Sequence, residues 1–272
     1  MSSLKPNRVL SAVELDQFGQ ELDALRARTV AELGERDAKY IRRIVKAVRY
    51  LEVAGRVTLF ASLPFASAFW PLWIIGVLLL ALSKILENME LGHNVIHGQY
   101  DWMGDPHLNG QTYEWDIAGT SDNWRHTHNF RHHTYTNVRG MDDDIGYGLL
   151  RIFPEQRWRP FYLFQPIIAV VFALLFEWGV AIQNLKLGRW WAGKTTKAQM
   201  RKAFRPAGKK MLRQVLKDYV VFPLLAGPFF LPILLGNVVA NVLRNIWTYV
   251  IIFCGHFTAD AETFSKESIR NE

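Results

Sequence analysis

The sequence predicts an all-α integral membrane protein in which two transmembrane helical hairpins carry a histidine-rich helical cap on the cytosolic side. Three observations lead there. Apolar residues gather in three blocks, 57–83, 161–182 and 219–243, whose one charge is Glu177, and each block is long enough to enter a bilayer. Lys and Arg crowd the flanks of those blocks, as they do on cytoplasmic membrane faces. Seven of the eight histidines fall between Leu91 and Asp144, so this polar stretch reads first as a metal site.

Composition narrows the class further. The formal net charge of +7 sits beside the apolar blocks and not in a separate basic arm, which points to a membrane face and away from nucleic acid. A lone cysteine, Cys254, excludes an internal disulfide and any cysteine metal motif, leaving nitrogen and oxygen as ligands. The first thirty residues are polar and of mixed charge, without the apolar run of a cleaved signal. A single domain over residues 1–272 is expected.

Taken in order, residues 1–39 form a cytosolic amphipathic segment. Ser11 is its N-cap, Glu14 follows three residues on, and Leu15, Phe18, Leu22 and Leu25 recur at helical spacing, a stripe expected to pack on the cap. Residues 40–97 form the first hairpin. Its block of 27 apolar residues falls between one crossing and two, and Pro71 favours two, with a turn at Ala68–Pro71. The second arm then runs through Lys84, Glu87 and Glu90 to His97, out of the lipid. Residues 98–160 are the histidine-rich cap. Residues 183–218, a basic cytosolic loop with eleven Lys or Arg and one acid, follow the block 161–182, so both ends of that block lie on one side. It is therefore expected as an interfacial helix. Residues 219–256 form the second hairpin, turning at Gly236 and Asn237, with Arg244 snorkelling or pairing with Asn241 and Asn245. That topology brings His256 to the face that holds the other histidines, and residues 257–272 open a further cytosolic segment.

The pair in HNVIH, His93 and His97, lies about 40° apart around a helix and can serve one metal or two adjacent ones, with Glu90 a turn earlier on the same stripe. Asn94 occupies the position where a zinc protease needs glutamate, which makes that class a poor fit. Taken alone, the pair is equally compatible with two unrelated interfacial histidines. HTHNFRHH is more specific. His128 and His132 share a face while His133 is turned by about 100°, so the doublet can serve two centres. His126 reads as a neighbour before a ligand, and His107 as a surface or channel residue. Asp142, Asp143 and Asp144 either orient imidazoles or form a solvated turn beside Gly140 and Gly146. Trp102, Trp115 and Trp124 line an acyl channel or anchor the interface.

HNVIH at the end of a membrane hairpin, HNFRHH in the cap and His256 at the end of a second hairpin resemble the membrane fatty acid desaturase family. The contexts GHNVIHGQYDWM and WRHTHNFRHHTYTNVRGMDDDIGYG are closer to bacterial acyl-CoA or acyl-lipid desaturases than to alkane hydroxylases, over roughly residues 40–265. The resemblance implies His93, His97, His128, His132, His133 and His256 as ligands of two non-haem iron ions. Glu90, His126, Asp142 and Asp144 are the residues available to support them. It implies dioxygen and two electrons as co-reactants, a fatty acyl substrate on coenzyme A or lipid, and an integral, multi-pass protein with its metal on the cytoplasmic face. Electrons would come from a separate donor such as ferredoxin and its reductase; surrounding membrane lipid is a partner and nucleic acid is not.

Members carry a third box, His or Gln two residues before a His-His doublet, beyond the equivalent of His256. Only sixteen residues follow His256 here and none is histidine, so the expectation is a chain cut before that box, with an incomplete iron site of its own. Two alternatives remain open from sequence: a lipid or alkane hydroxylase of the same superfamily, and a non-catalytic membrane partner of a full-length desaturase.

Overall fold

The computed structural model describes residues 10–65, 67–258 and 261–270. The first nine residues of the N-terminal segment, Ala66 in the first apolar block, and Ala259, Asp260, Asn271 and Glu272 in the last segment lie outside the described residues. The described chain is helical, its one β-bridge joining Val138 to Phe264. It divides at Arg43–Ile44 into two compact units.

In the first unit, helix α1 (Ala12–Ala31) begins with the expected capping box: the Ser11 hydroxyl accepts from the Glu14 backbone N–H, and the Glu14 side chain returns to the Ser11 backbone N–H. None of its side chains is buried, and the stripe Leu15, Phe18, Leu22, Leu25 is exposed. Helix α2 (Glu35–Ser62) opens in this unit.

The second unit contains the rest of α2 and helix α3 (Phe69–Ile96), and the described residues between them, 63–65 and 67–68, are not helical. Glycines let these two helices touch. A Cβ on Gly55 would lie 2.8 Å from the backbone nitrogen of Leu80, and one on Gly76 would lie 2.8 Å from that of Leu59. This is the small-residue contact by which membrane helices gain packing where lipid supplies no hydrophobic drive.

Helices α4 (Gln165–Leu174) and α5 (Phe176–Gln183) meet at a 100° bend, which suits a segment that enters the apolar layer and turns back. Residues 183–218, expected as a loop, contain helix α6 (Lys197–Val215). Thr196 and Gln199 form a capping box at its start, and long straight-chain residues such as Lys, Arg, Gln and Met sustain it.

The second hairpin turns earlier than its sequence suggests. Helix α7 (Phe230–His256) runs unbroken through Gly236 and Asn237, and the turn lies at Gly227–Phe229, where Gly227 has φ +55°. Gly236 instead makes room for Leu59, whose Cδ2 would lie 3.0 Å from an added Cβ. The Asn237 amide donates to the Asp218 carbonyl at 2.8 Å. Both residues serve packing between helices, which in sequence looks the same as a turn.

Two helices, Phe69–Ile96 and Gly227–His256, are long and apolar enough to cross a membrane, and the bent pair makes a third if counted as one span. Ile74, Ile75, Leu78 and Leu82 on α3, with Leu231, Leu235, Val250 and Ile251 on α7, point outward. Apolar faces of that extent are stable against lipid, and the chain is membrane-associated. Inside, Leu59, Val77, Leu80, Ile233 and Ala240 pack the contact between α2, α3 and α7.

Candidate metal centre

Three helix ends bring six histidines together. His93 and His97 occupy the last turns of α3, their rings 4.6 Å apart. His128, His132 and His133 come from a helical stretch, Ser121–Trp124 continuing into Arg125–His132, that starts where the Thr120 hydroxyl accepts from the Asn123 N–H at 3.4 Å. His256 ends α7. Ring centroids form a continuous cluster: His97 lies 5.3 Å from His128 and 4.8 Å from His133, and His132 lies 4.9 Å from His256.

A change of helical pitch explains how the doublet joins. Arg125–His132 is π-helical, and the His133 N–H bonds to the His128 carbonyl five residues back. Residues five apart then come together, and the His128 and His133 rings meet edge-on with centroids 4.8 Å apart. On α-helical spacing His133 would point elsewhere. The stretch Leu86–Gly92 ahead of His93 is also π-helical, with the His93 N–H bonded to the Asn88 carbonyl.

Carboxylates fix two rings. Asp144 Oδ2 is 2.8 Å from His128 Nδ1, and Asp142 Oδ2 is 3.0 Å from His132 Nδ1, so both Nδ1 atoms donate. His256 Nδ1 donates to the Ile252 carbonyl at 2.9 Å. In all three the Nε2 atom is left for a metal. Trp124 supplies a wall: it stacks on His128 at 4.2 Å and meets His93 and His97 edge-on at 5.2 and 5.1 Å. Sequence alone does not single out this contact.

Burial and the neighbouring rings hold the His97 imidazole down at about 4 and that of His128 at about 2, so both are neutral ligands at neutral pH. At His132 burial works the same way, but the Asp142 hydrogen bond and the Asp144 and Asp142 charges outweigh it and raise the ring. Burial pushes the Asp144 carboxyl up to about 6 against the pull of His132. The donor set suits iron. His93, His97 and His128 present ligand atoms within 4.8 Å of one another, as do His128, His132 and Asp144, and all are nitrogen or oxygen. In the second group the Asp144 oxygen is already engaged by His128.

The other sequence-selected residues lie elsewhere. His126 is exposed and stacks on Phe130, and His107 is exposed in its loop. The Glu90 backbone carbonyl accepts from Asn94 at 2.8 Å. Asp143 pairs with Arg131 at 2.6 Å and Lys186 at 3.1 Å and with no histidine among the described residues. Trp102 is exposed, while Trp115 and Trp124 are buried.

A largely apolar slot begins at His93 and His128 and is walled by Trp115, Trp124, Phe176 and Ile252. Tyr147 and Asn184 also line it, and the same two residues line an open vestibule of about 640 Å³ containing Arg131, Arg139 and Lys186. Tyr147 is buried at φ +53° between two glycines that also have positive φ. Strain of that kind persists where surrounding structure enforces it, commonly at functional sites.

The sequence signature of the fatty acid desaturases matches residues 68–265. The chain is 46% identical over 267 residues to the NADPH-dependent stearoyl-CoA 9-desaturase of Mycobacterium tuberculosis, covering 97% of this chain and 61% of that protein. It is 37% identical over 105 residues to the sn-1 linoleoyl-lipid 6-desaturase of Synechocystis sp., covering 37% and 28% of the two chains. No solved structure matches. The chain thus spans less than two thirds of the length of the mycobacterial relative.

Proposed function

We propose that this chain, which belongs to the fatty acid desaturase family, introduces a double bond into a long acyl chain at two non-haem iron ions, consuming dioxygen and two electrons. One observation carries the reading: six histidine rings form one cluster, and two of them, His93 and His128, line an apolar slot. His93, His97, His128, His132, His133 and His256 would hold the metal, which supplies the dioxygen activation needed to break unactivated C–H bonds. One hydrogen leaves each of two neighbouring methylenes, and these with the two electrons and two protons from solvent reduce dioxygen to two waters.

The chain's own residues do the positioning. Asp142 and Asp144 keep protons on Nδ1 of His132 and His128 and thereby aim Nε2 inward. Trp115, Trp124 and Phe176 exclude water and hold an extended hydrocarbon beside the rings. The mycobacterial relative is named for stearoyl-CoA, and we take a saturated acyl-CoA as the substrate; in the vestibule Arg131 and Lys186 are paired with Asp143, which leaves Arg139 to meet an anionic head group. That relative is named as NADPH-dependent, which fits electrons from NADPH through a separate donor such as a ferredoxin with its reductase. The basic residues of α2 and α6 favour the cytoplasmic face for the site.

The test uses the protein in membranes with stearoyl-CoA, NADPH and a ferredoxin–reductase pair. We expect iron in the purified protein and a monounsaturated acyl product that requires dioxygen. A hydroxylated product would convert the reading to a hydroxylase. Protein that holds no iron and forms neither product would leave only a non-catalytic role.

A further inference from the structure

We propose that the buried ion pair between Arg244 and Glu177 closes the far end of the slot and sets the longest acyl chain that fits, an inference that rests on the acyl reading of the slot given above. Two helices place the pair there independently. On α7, Arg244, Thr248 and Ile252 line the slot at one-turn intervals, and Arg244 stands twelve residues before His256, about 18 Å along the helix axis. On α5, Glu177, Ala181 and Asn184 line it at the same kind of spacing. Asn184 belongs to the mouth shared with the vestibule, and Glu177 lies two turns further in. On α7 the charge thus stands at the end away from His256, and on α5 at the end away from Asn184.

The pair is held so that it does not yield. Arg244 is 2% and Glu177 8% exposed. One Glu177 oxygen takes the Arg244 guanidinium, and the other accepts from the Ala118 N–H at 3.2 Å. The Asn245 amide spans the α4–α5 bend, donating to the Leu174 carbonyl at 2.8 Å and accepting from the Glu177 N–H at 3.3 Å. Arg244 Nε has no hydrogen-bond partner among the described residues. A methyl terminus pressed against that group gives it no acceptor and removes any water that could serve, so extending the chain past it is unfavourable. Stability alone does not require charge here, because buried ion pairs are commonly replaceable by apolar residues of like volume.

The experiment measures the thermal shift of metal-free protein in lipid nanodiscs with saturated acyl-CoAs of fourteen to twenty-two carbons. For the wild type the shift should grow with length and then fall beyond a limit. The double variant R244M/E177M should move that limit upward, two further buried methylenes raising affinity by about tenfold. Arg244→Lys, which keeps a cation at the position, should retain the wild-type limit. Where the methionine pair does not fold, R244Q/E177Q keeps a hydrogen bond between the two and should extend the limit in the same direction. An unchanged limit in the folded double variants, with the wild type still showing one, overturns the ion-pair limit and leaves the acyl slot standing. No shift with any acyl-CoA overturns the slot reading itself.

Discussion

The carboxylate of Asp142 lies 3.0 Å from Nδ1 of His132 and also accepts the backbone N–H groups of Asn137 and Asp144, each at 2.9 Å. Its neighbour Asp143 faces Arg131 and Lys186. Consecutive acids therefore have different jobs, and substitution separates them. Asp142→Asn should lower metal affinity by about 10- to 100-fold, the usual cost of losing the group that orients a ligating imidazole. Asp143→Asn should leave affinity at the wild-type level while loosening the loop. Iron titration of both variants, with thermal melts to confirm folding, checks the pair; equal losses would assign the two acids the same role.

Protonation supplies a second prediction, for the metal-free protein. His97 and His128 titrate at about 4 and about 2 when folded, against an ordinary 6.5, so their contribution is complete above 6.5 and is lost as the pH falls toward those values. Asp144 works in the opposite sense. Raised from 3.8 to about 6, it contributes stability below 3.8 that is lost as pH rises through 6. Near pH 5 the unfolded chain carries two protons on these histidines, while the folded chain carries one on Asp144. Stability should therefore fall on acidification from 6.5 to 5. Asp144→Asn removes the opposing proton and should steepen the fall, as melting temperatures across that range will show.

Much of this site was legible in the residues, and what was not has identifiable causes. Histidines at i and i+4 announce a shared helical face, so His93 with His97 and His128 with His132 could be paired on paper. On α-helical pitch His133 is placed about 100° from His132, but its setting against His128 comes from a five-residue hydrogen bond, which changes the pitch and leaves no mark in composition. Glu177 stands out as the one charge of the apolar blocks, and Arg244, in the second hairpin, is expected to snorkel or pair with Asn241 and Asn245; their pairing with each other depends on how α5 meets α7, which sequence spacing does not encode. Gly236 and Asn237 were misleading for a related reason: close helix packing and a buried amide use the same residue types as a turn.

The glycine contact between α2 and α3 leads to a third prediction. An added methyl on Gly76 would meet the Leu59 backbone nitrogen and side chain, each at 2.8 Å, so neither helix can accommodate it by a rotamer change. Gly76→Ala should force the helices apart and cost about 1–3 kcal/mol. Gly104 serves as a control of another kind. It has open space around its Cβ position but φ +62°, so Gly104→Ala should cost backbone strain without altering the helix contact. Thermal unfolding in detergent, with a cross-link between α2 and α3 to report their separation, distinguishes the two outcomes.

The last prediction concerns Asp218, 2% exposed among membrane helices. Its carboxylate receives Lys84 Nζ at 2.7 Å, Arg56 Nη2 at 3.2 Å and the Asn241 amide at 3.2 Å. Arg56 has a further partner in Glu52 at 3.1 Å, while Lys84 depends on Asp218. Asp218→Ala leaves the lysine charge buried without its counterion and should cost about 3–5 kcal/mol. Adding Lys84→Met removes the stranded charge and replaces it with an apolar chain of similar length. The double variant K84M/D218A should therefore be more stable than D218A alone, a non-additivity expected only where the two groups meet directly. Additive losses in the thermal unfolding cycle would show that Asp218 acts through Arg56 and Asn241, and that Lys84 does not hold these helices together.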